Sequence, residues 1–363
     1  MGVIHRREIE RYLKGLFGAE VQLEAVSRLG ETAGAPATTK GYGYGEPLRL
    51  TVRRAGRRQD LVLETVRPGP FGHEHLADRA QSLIWDHVAF NHLPGHVRSV
   101  DVGGFLAGGR IVSLGRLREC FIVMEYAPGR GYNEDLERIL RTGRIGAGDL
   151  ARAEALAGYL GSIHRRRKRA PNLYRRRLRD LLGHGECIMG LTDSYPLPFG
   201  FITADLLEQI EQRCNAWRWR LHDRAARLCQ VHGDFHPWNV LFRRGHDFTV
   251  LDRARGEWGD PADDLTSMSI NYLFFSLQRY GRLQGPFERL FRAFWDRYLG
   301  DMGTAVLDGA APFFAFRGLV VASPVWYPRL PLPVRRKIFN FILNVLEQER
   351  FDPVRVNTLL EAP

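Results

Sequence analysis

The sequence predicts an α+β fold in two lobes, a small lobe that carries most of the strands and a larger helical one. A chain of 363 residues is long enough to bury more than one core. Strand patterns occur in the first third of the chain, whereas patterns of helical period dominate after about residue 130. The predicted strands of the first lobe cover residues 21–29, 48–53, 60–67, 110–114 and 120–126. The predicted helices cover residues 5–17, 73–92, 150–167, 201–228, 264–280, 286–299, 312–322 and 332–349.

The formal net charge of +11 raises the question of a nucleic-acid partner. The basic residues are almost all arginine, since lysine occurs only at positions 14, 40, 168 and 337. Residues 165–169 and 175–177 form the densest basic run, which is more typical of a solvated helix face than of a binding patch. No motif of the usual nucleic-acid-binding modules occurs. A nucleic-acid partner is therefore not expected; if one exists, its binding should weaken steeply with salt.

Hydropathy and cysteine usage indicate a cytoplasmic enzyme without a membrane partner. A membrane span needs roughly 18 to 20 apolar residues, and the best candidate, residues 313–326, is interrupted by Arg317. The N-terminal residues are charged from His5 onward and lack an apolar signal region. No zinc or disulfide spacing links the cysteines, so buried free thiols are expected. The four cysteines are Cys120, Cys187, Cys214 and Cys229.

The chemistry is predicted in the segment 231–265, VHGDFHPWNVLFRRGHDFTVLDRARGEWGDPADDL. Two short strands, 240–242 and 248–251, flank a polar turn, and an antiparallel hairpin would bring Asn239 and Asp252 to the same open end. An amide oxygen and a carboxylate suit a hard cation such as Mg²⁺, which completes its shell with water and nucleotide phosphates. Asp234 precedes Asn239 by five residues, and a carboxylate in that place can accept the proton of an attacking hydroxyl.

The strings HGDFHPWN, LD and GDPADDL resemble the catalytic loop and metal-binding segment of the aminoglycoside phosphotransferase and choline kinase family. The resemblance implies a two-lobed protein kinase-like fold with a small mixed β-sheet N-lobe and a mostly helical C-lobe. It implies an N-terminal nucleotide-binding lobe at 1–124, a hinge at 125–130, and a C-terminal catalytic and acceptor-binding lobe at 131–363.

The same resemblance assigns roles within the segment. It implies that Asp234 is the catalytic base and that Asn239 and Asp252 hold Mg²⁺, as in the kinase template. His232 and His236 have no third zinc ligand nearby and are expected to be structural. Asp260 precedes a proline and is expected to cap a helix, with Asp263 and Asp264 in its first turn; these two aspartates and Glu257 are also open to a reading as an acidic rim for a polyamine.

Two further stretches resemble the nucleotide-binding parts of the family. KGYGYGEP follows the first predicted strand, and its glycines would let the backbone approach phosphates closely. FIVMEYAPGR resembles the hinge, where backbone groups from Glu125 to Ala127 would bind a purine; a buried strand that ends in a turn explains the same letters. The residues assigned to the phosphate loop are Lys40, Gly41, Gly43 and Gly45.

The sequence departs from the family in the third strand, LVLETVRP, where Glu64 occupies the place expected for a phosphate-binding lysine. Two unit charges about 4 Å apart interact by about 4 kcal/mol at an effective dielectric constant near 20, so exchanging a cation for an anion beside the nucleotide phosphates affects nucleotide binding. Lys40, Arg53 and Arg67 are candidates for a compensating cation. The helix predicted at 73–92 also lacks a well-placed glutamate to form the usual ion pair.

These residues predict a Mg²⁺-dependent transfer of the γ-phosphoryl group of ATP, with GTP as an alternative, to a hydroxyl of a small molecule. An aminoglycoside-type antibiotic, an amino alcohol such as choline, or a sugar are the acceptor classes. The alternative is a catalytically impaired protein of kinase fold that binds a nucleotide or serves in regulation, which Glu64 favours.

Overall fold

The computed structural model describes residues 5–29, 45, 47–69, 71–253 and 255–363. The chain divides into two compact units, Met1–Met124 and Glu125–Pro363. Each unit is built around its own cluster of buried apolar side chains.

The core of the first unit is formed by a helix on one face of an antiparallel sheet of order β1-β2-β3. Leu23, Leu50 and Val52 of the sheet are buried with Ile9 and Leu13 of the helix, since alternate strand residues share one face. The turn between β2 and β3 has positive φ at both central positions, the twist that tight hairpins favour. The elements are α1 (Arg6–Phe17), β1 (Gln22–Arg28), β2 (Leu48–Arg54) and β3 (Arg57–Leu63).

Among its described residues, the rest of the first unit contains one helix, α2 (Leu76–Phe90), and a short hairpin of β4 (Gly103–Phe105) and β5 (Ile111–Ser113). The strand predicted at 120–126 is wrong: this segment forms no strand in the part of the chain that the structure describes, and Phe121 and Tyr126 are both 90% exposed. An apolar run acquires a strand conformation from its neighbours in a sheet, and pattern alone does not supply them.

The second unit is mostly helical and is centred on α8, of whose 20 residues 17 are buried. A helix that is buried on all sides is the centre of a domain, and α8 contacts α3, α4, α9, α10 and α11. Gly318 of α10 allows close packing on α11, because a Cβ there would lie 2.7 Å from Ile342. The helices are α3 (Tyr132–Thr142), α4 (Ala147–His164), α5 (Pro171–Gly183), α6 (Ile188–Ser194), α7 (Ala204–Leu221), α8 (Pro261–Tyr280), α9 (Gly285–Met302), α10 (Ala311–Ala322) and α11 (Leu332–Glu347).

Two small antiparallel sheets in this unit position the segment singled out in the sequence. One has the order β6-β8-β9, and its β8–β9 hairpin is the predicted one. The other pairs β7 with β10, so that the chain enters the 231–239 loop and leaves toward α8 from neighbouring strands. The strands are β6 (Arg130–Gly131), β7 (Cys229–Gln230), β8 (Val240–Phe242), β9 (Phe248–Val250) and β10 (Trp258–Gly259).

Candidate active site

The loop between β7 and β8, residues 231–239, is fixed by a fully buried carboxylate. Asp264, in the first turn of α8, accepts hydrogen bonds from the backbone N–H groups of His232 at 2.8 Å and Gly233 at 2.7 Å. Its Oδ2 also lies 3.1 Å from Nε2 of His164, whose Nδ1 is 2.9 Å from the hydroxyl of Tyr298. Burial alone would raise the pKa of Asp264, but the bond with His164 and the loop amides keep that pKa below its ordinary value. The loop backbone is therefore anchored to α4, α8 and α9.

Asp234, the predicted base, lies among three basic side chains. Its Oδ1 accepts a hydrogen bond from Nη1 of Arg317 at 2.5 Å and lies 3.4 Å from Nη1 of Arg255. Its Oδ2 lies 3.5 Å from Nε2 of His236. Burial alone would raise the pKa of Asp234, but the contact with His236 and the charges of Arg317 and Arg255 outweigh burial and hold the pKa well below its usual range. The carboxylate is consequently ionised at neutral pH, the form that a base requires.

Arg317 connects this loop to two helices. It lies on α10 with 5% of its side chain exposed, and its Nη2 donates to the carbonyl of Gly233 at 2.9 Å and to Oδ1 of Asp263 at 2.6 Å. The guanidinium also lies over the ring of Phe316, 4.5 Å from the centroid. A planar fork that serves several acceptors suits arginine better than lysine. Arg317 therefore sets where the carboxylate of Asp234 lies.

Asn239 and Asp252, the predicted metal ligands, flank the open end of the β8–β9 hairpin. Nδ2 of Asn239 donates to the backbone carbonyl of Asp234 at 3.0 Å, so Oδ1 is the amide atom that remains to coordinate a cation. The N–H of Leu251 donates to the carbonyl of Asn239 at 2.9 Å, which extends the ladder up to the residue before Asp252. Asp252 is exposed and has φ of 54°, a left-handed conformation that is rare outside glycine and concentrates at functional positions.

The donor set fits a hard divalent cation that brings other ligands with it. Among the described residues there is no group of three or more His, Cys, Asp or Glu side chains able to hold a metal alone. One carboxylate and one amide oxygen are the protein share that is usual for Mg²⁺ bound together with phosphates and water. Asp252 also lines a pocket of about 270 Å³ with Arg253, Tyr159 and Ile163, which leaves room beside the carboxylate.

His236 and His232 both make hydrogen bonds within the loop. Nδ1 of His236 accepts from the N–H of Trp238 at 3.3 Å and begins the short 3₁₀ turn Pro237–Asn239. Nδ1 of His232 accepts from the N–H of Asp234 at 3.3 Å, and burial lowers the pKa of this imidazole. These contacts shape the backbone that presents Asp234 and Asn239.

Asp260 caps α8 and holds it to α5. Its Oδ1 accepts from the N–H of Ala262 at 3.0 Å, the arrangement of a helix N-cap followed by a first-turn proline. Its carboxylate also accepts from the hydroxyl of Tyr174 at 2.8 Å and from two nitrogens of Arg227 at 2.6 and 2.8 Å. The residue thus lies in a buried structural network one turn before Asp264.

Comparison with known proteins places this chain in a family. The family model for APH, the phosphotransferase enzyme family, matches residues 49–307, well over half of the chain. The chain belongs to the phosphotransferase enzyme family. The resemblance inferred from the sequence is therefore confirmed, and so is the α+β kinase-like fold class.

Solved structures that resemble this phosphotransferase family member are distant in sequence. An amicoumacin kinase in complex with AMP-PNP, Ca²⁺ and Ami has a TM-score of 0.41 at 15% identity, over 97% of this chain and 100% of that one. An ethanolamine kinase from Plasmodium vivax has a TM-score of 0.35 at 12% identity, over 86% and 78%. The gentamicin complex of APH(2")-IIa has a TM-score of 0.34 at 14% identity, over 97% and 98%. A search of curated protein sequences found no match. None of the helices in the described residues has the length and apolar character needed to cross a membrane.

The nucleotide-binding residues that the family resemblance predicts are described only in part. Lys40, Gly41 and Gly43 lie outside the described residues. Gly45 pairs with Val66 in an isolated bridge, and a Cβ on Gly45 would lie 1.9 Å from Oε1 of Glu64. The departure noted at Glu64 therefore lies directly against the end of the glycine-rich stretch.

The remaining predicted nucleotide contacts are in irregular chain. Arg67 is exposed just after the bridge that involves Val66. Glu125 and Ala127 begin the second unit, and neither belongs to a strand. Their roles stay predictions.

Sequence reasoning missed Arg317, Arg255 and the burial of the two aspartates after Pro261. Asp263 and Asp264 are 6% and 0% exposed, so they are not an exposed acidic rim. A signal for Arg317 existed: it is the one charge in the apolar stretch 313–326, and a charged residue in such a helix is buried only when it is paired. The identity of its partners, 83 and 54 residues away, was not readable from that signal.

Proposed function

We propose that this protein transfers the γ-phosphoryl group of a nucleoside triphosphate, ATP or GTP, to a hydroxyl of a small molecule, with Mg²⁺ as the metal. The observation that carries the proposal is the loop 231–239, which presents an ionised Asp234 and bonds Asn239 to the backbone carbonyl of Asp234. Asp252 follows two residues after the end of β9, the strand that pairs with β8. Family membership supports the reaction class.

Each residue has a role in this proposal. Asn239 and Asp252 would hold Mg²⁺, which neutralises charge on the phosphates. Asp234 orients the acceptor hydroxyl and takes its proton as the oxygen–phosphorus bond forms and the bond to the leaving nucleoside diphosphate breaks. Because the transition state of such transfers is loose, positioning of the hydroxyl contributes more than proton removal. The products are a phosphate monoester and a nucleoside diphosphate.

The nucleotide side of the proposal rests on family resemblance. Residues 1–124 would form the nucleotide-binding lobe, residues 125–130 the hinge, and residues 131–363 the catalytic and acceptor-binding lobe. Lys40, Arg53 or Arg67 would supply the positive charge that Glu64 does not. An aminoglycoside-type antibiotic, an amino alcohol and a sugar are the acceptor classes to be tested first.

A second candidate is a nucleotide-binding or regulatory protein that has lost efficient turnover. The contact of Glu64 with Gly45 favours it, because a carboxylate there repels phosphates. Retention of Asp234, Asn239 and Asp252 favours the enzyme.

The deciding experiment measures nucleoside diphosphate release with ATP or GTP, Mg²⁺ and a panel of hydroxyl compounds. Asp234→Asn should lower turnover at least about 100-fold, the lower end of the range for a lost acid or base. Asp296→Asn is the matched control, since Asp296 is exposed on α9. Nucleotide binding by calorimetry without release for any acceptor would instead favour the second candidate.

A further inference from the structure

The base lies beside an aromatic surface, here called the aromatic wall, formed by His236, Trp238, Phe275 and Tyr327. The His236 ring, which contacts Asp234, lies 5.8 Å from the Trp238 ring. Trp238 stacks on Phe275 at 6.3 Å and 22°, and its centroid is 6.4 Å from that of Tyr327. Phe275 is 4% exposed whereas Trp238 is 38% exposed, so the wall is backed by the buried core and its indole ring is partly accessible to solvent.

The wall is held in place before any ligand arrives. Phe275 belongs to the buried helix α8, and Tyr327 lies in the loop between α10 and α11. Arg335 of α11 is fully buried and donates hydrogen bonds to three carbonyls of this region, those of Ala322, Tyr327 and Leu330. A surface that needs no ordering on binding retains more of its interaction energy as affinity.

The carboxylates around Asp234 already contact cationic side chains. Arg317 and Arg255 both face Oδ1 of Asp234, and Arg317 also engages Asp263. In the same network, Nε of Arg255 lies 3.8 Å from the carboxylate of Glu186. The two guanidinium groups are thus shared among three carboxylates, and each of these carboxylates contacts at least one of them.

This arrangement selects between acceptor chemistries. An ammonium group leaves water favourably only where a carboxylate replaces its hydration, and here the carboxylates nearest the reacting hydroxyl already contact guanidinium groups. A flat apolar ring, in contrast, gains from an exposed indole that is fixed in orientation. The two effects point to the same kind of compound.

We infer that the acceptor is a hydroxyl compound with an apolar ring face and without a cluster of ammonium groups, and that it stacks on Trp238 with its hydroxyl at Asp234. The inference rests on the proposed phosphotransferase activity and narrows its acceptor class. Amine-rich acceptors such as aminoglycosides are then poor substrates.

The test uses the full chain with ATP, Mg²⁺ and matched pairs of acceptors. One pair is a phenyl glycoside and the methyl glycoside of the same sugar, and the other is an aminoglycoside and its fully N-acetylated form. The phenyl glycoside should have a KM about tenfold lower than the methyl glycoside, the size expected for one aromatic contact. N-acetylation should raise the turnover of the amine-rich compound.

Variants at Trp238 identify the surface. Trp238→Ala should remove the phenyl preference, measured as the ratio of the KM values for the methyl and phenyl glycosides, while Trp238→Phe should keep most of it. Trp238→Leu fills the space without a ring face, so it answers the question if the alanine variant does not fold. Trp219→Ala is the matched control, since Trp219 is 60% exposed on α7.

The outcomes separate the two proposals. A preference for free amines over acetylated ones, or a phenyl preference that survives Trp238→Ala and Trp238→Leu, overturns the inference and leaves the phosphotransferase intact. If no acceptor is turned over, the proposed function fails. Calorimetric binding of the same four compounds to Asp234→Asn protein then decides the ring preference by itself.

Discussion

Replacement of Arg317 by methionine tests how the candidate base is held. The side chain is 5% exposed and bonds Asp234, Asp263 and the carbonyl of Gly233 at 2.5 to 2.9 Å. Removal of one partner of a buried ion pair costs about 3–5 kcal/mol, because the other charge stays buried. In the variant Asp234 still contacts Arg255 and His236, so we expect the free energy of unfolding to fall by the lower end of this range, about 3 kcal/mol.

Urea unfolding followed by tryptophan emission measures this change. Of the seven tryptophans, all but Trp85 lie in the unit Glu125–Pro363, so the signal reports on the unit that contains Arg317. Arg297→Met is the control: Arg297 is 53% exposed and pairs with Asp301 one turn away, an interaction of about 0.3–0.5 kcal/mol. A loss for Arg317→Met no larger than that of the control would refute the reasoning.

A double variant and a pH series give two further checks. Asp263→Asn should restore part of the stability lost in Arg317→Met, because the uncompensated carboxylate is then removed. The folded-state pKa of Asp234 lies below its unfolded value of about 3.9, so this contribution is complete above that value and is lost as the pH falls toward the folded pKa. The difference between wild type and Arg317→Met should therefore shrink by about 1 kcal/mol between pH 5 and pH 3. A difference that grows on acidification would contradict this sign.

Three other expectations can be checked directly. Asp260→Ala should lower the free energy of unfolding by about 3 kcal/mol in the same assay, because α8 loses its N-cap and Arg227 loses a bidentate partner. A loss below about 1 kcal/mol, the value of a cap alone, would show that the pair of Asp260 with Arg227 is unimportant. Removal of Mg²⁺ by a chelator should abolish turnover. Asp252→Asn should raise the Mg²⁺ concentration for half-maximal turnover at least about tenfold and leave the urea midpoint of unfolding unchanged. An unchanged Mg²⁺ dependence would exclude Asp252 as a metal ligand. A thiol reagent should label Cys120 alone in the native protein, since the other three cysteines are buried and burial raises the pKa of Cys187 to about 11. Labelling of a second cysteine before unfolding would contradict this burial.

The sequence was most informative where local chemistry determines local structure. The β8–β9 hairpin and α11 were predicted close to their observed bounds, because turn residues and helical period are local signals. The start of α8 was predicted three residues late, although the aspartate–proline cap was recognised. Helices α3, α5 and α6 were not predicted, and short helices of this kind depend on tertiary packing for their stability.

The candidate site shows the same division. The convergence of Asp234 and Asn239 follows from their spacing within one loop, and the structure shows the hydrogen bond between them. The ion pair of Asp234 with Arg317 joins residues 83 positions apart, which only the packing of α10 against α8 brings together. Asp264 lies in the first turn of α8 as the sequence predicts, and its carboxylate also binds backbone amides more than 30 positions upstream. Long-range polar contacts of this kind leave no periodic trace in the sequence.

The loop that carries Asp234 and the loop that carries Tyr327 depend on different anchors. Asp264 of α8 binds the first, and Arg335 of α11 binds the second. A mutation that remodels the second loop therefore leaves the first anchor untouched. Under the proposed function, substitutions in the connection between α10 and α11 would alter the acceptor surface at Tyr327 without altering the loop that carries Asp234.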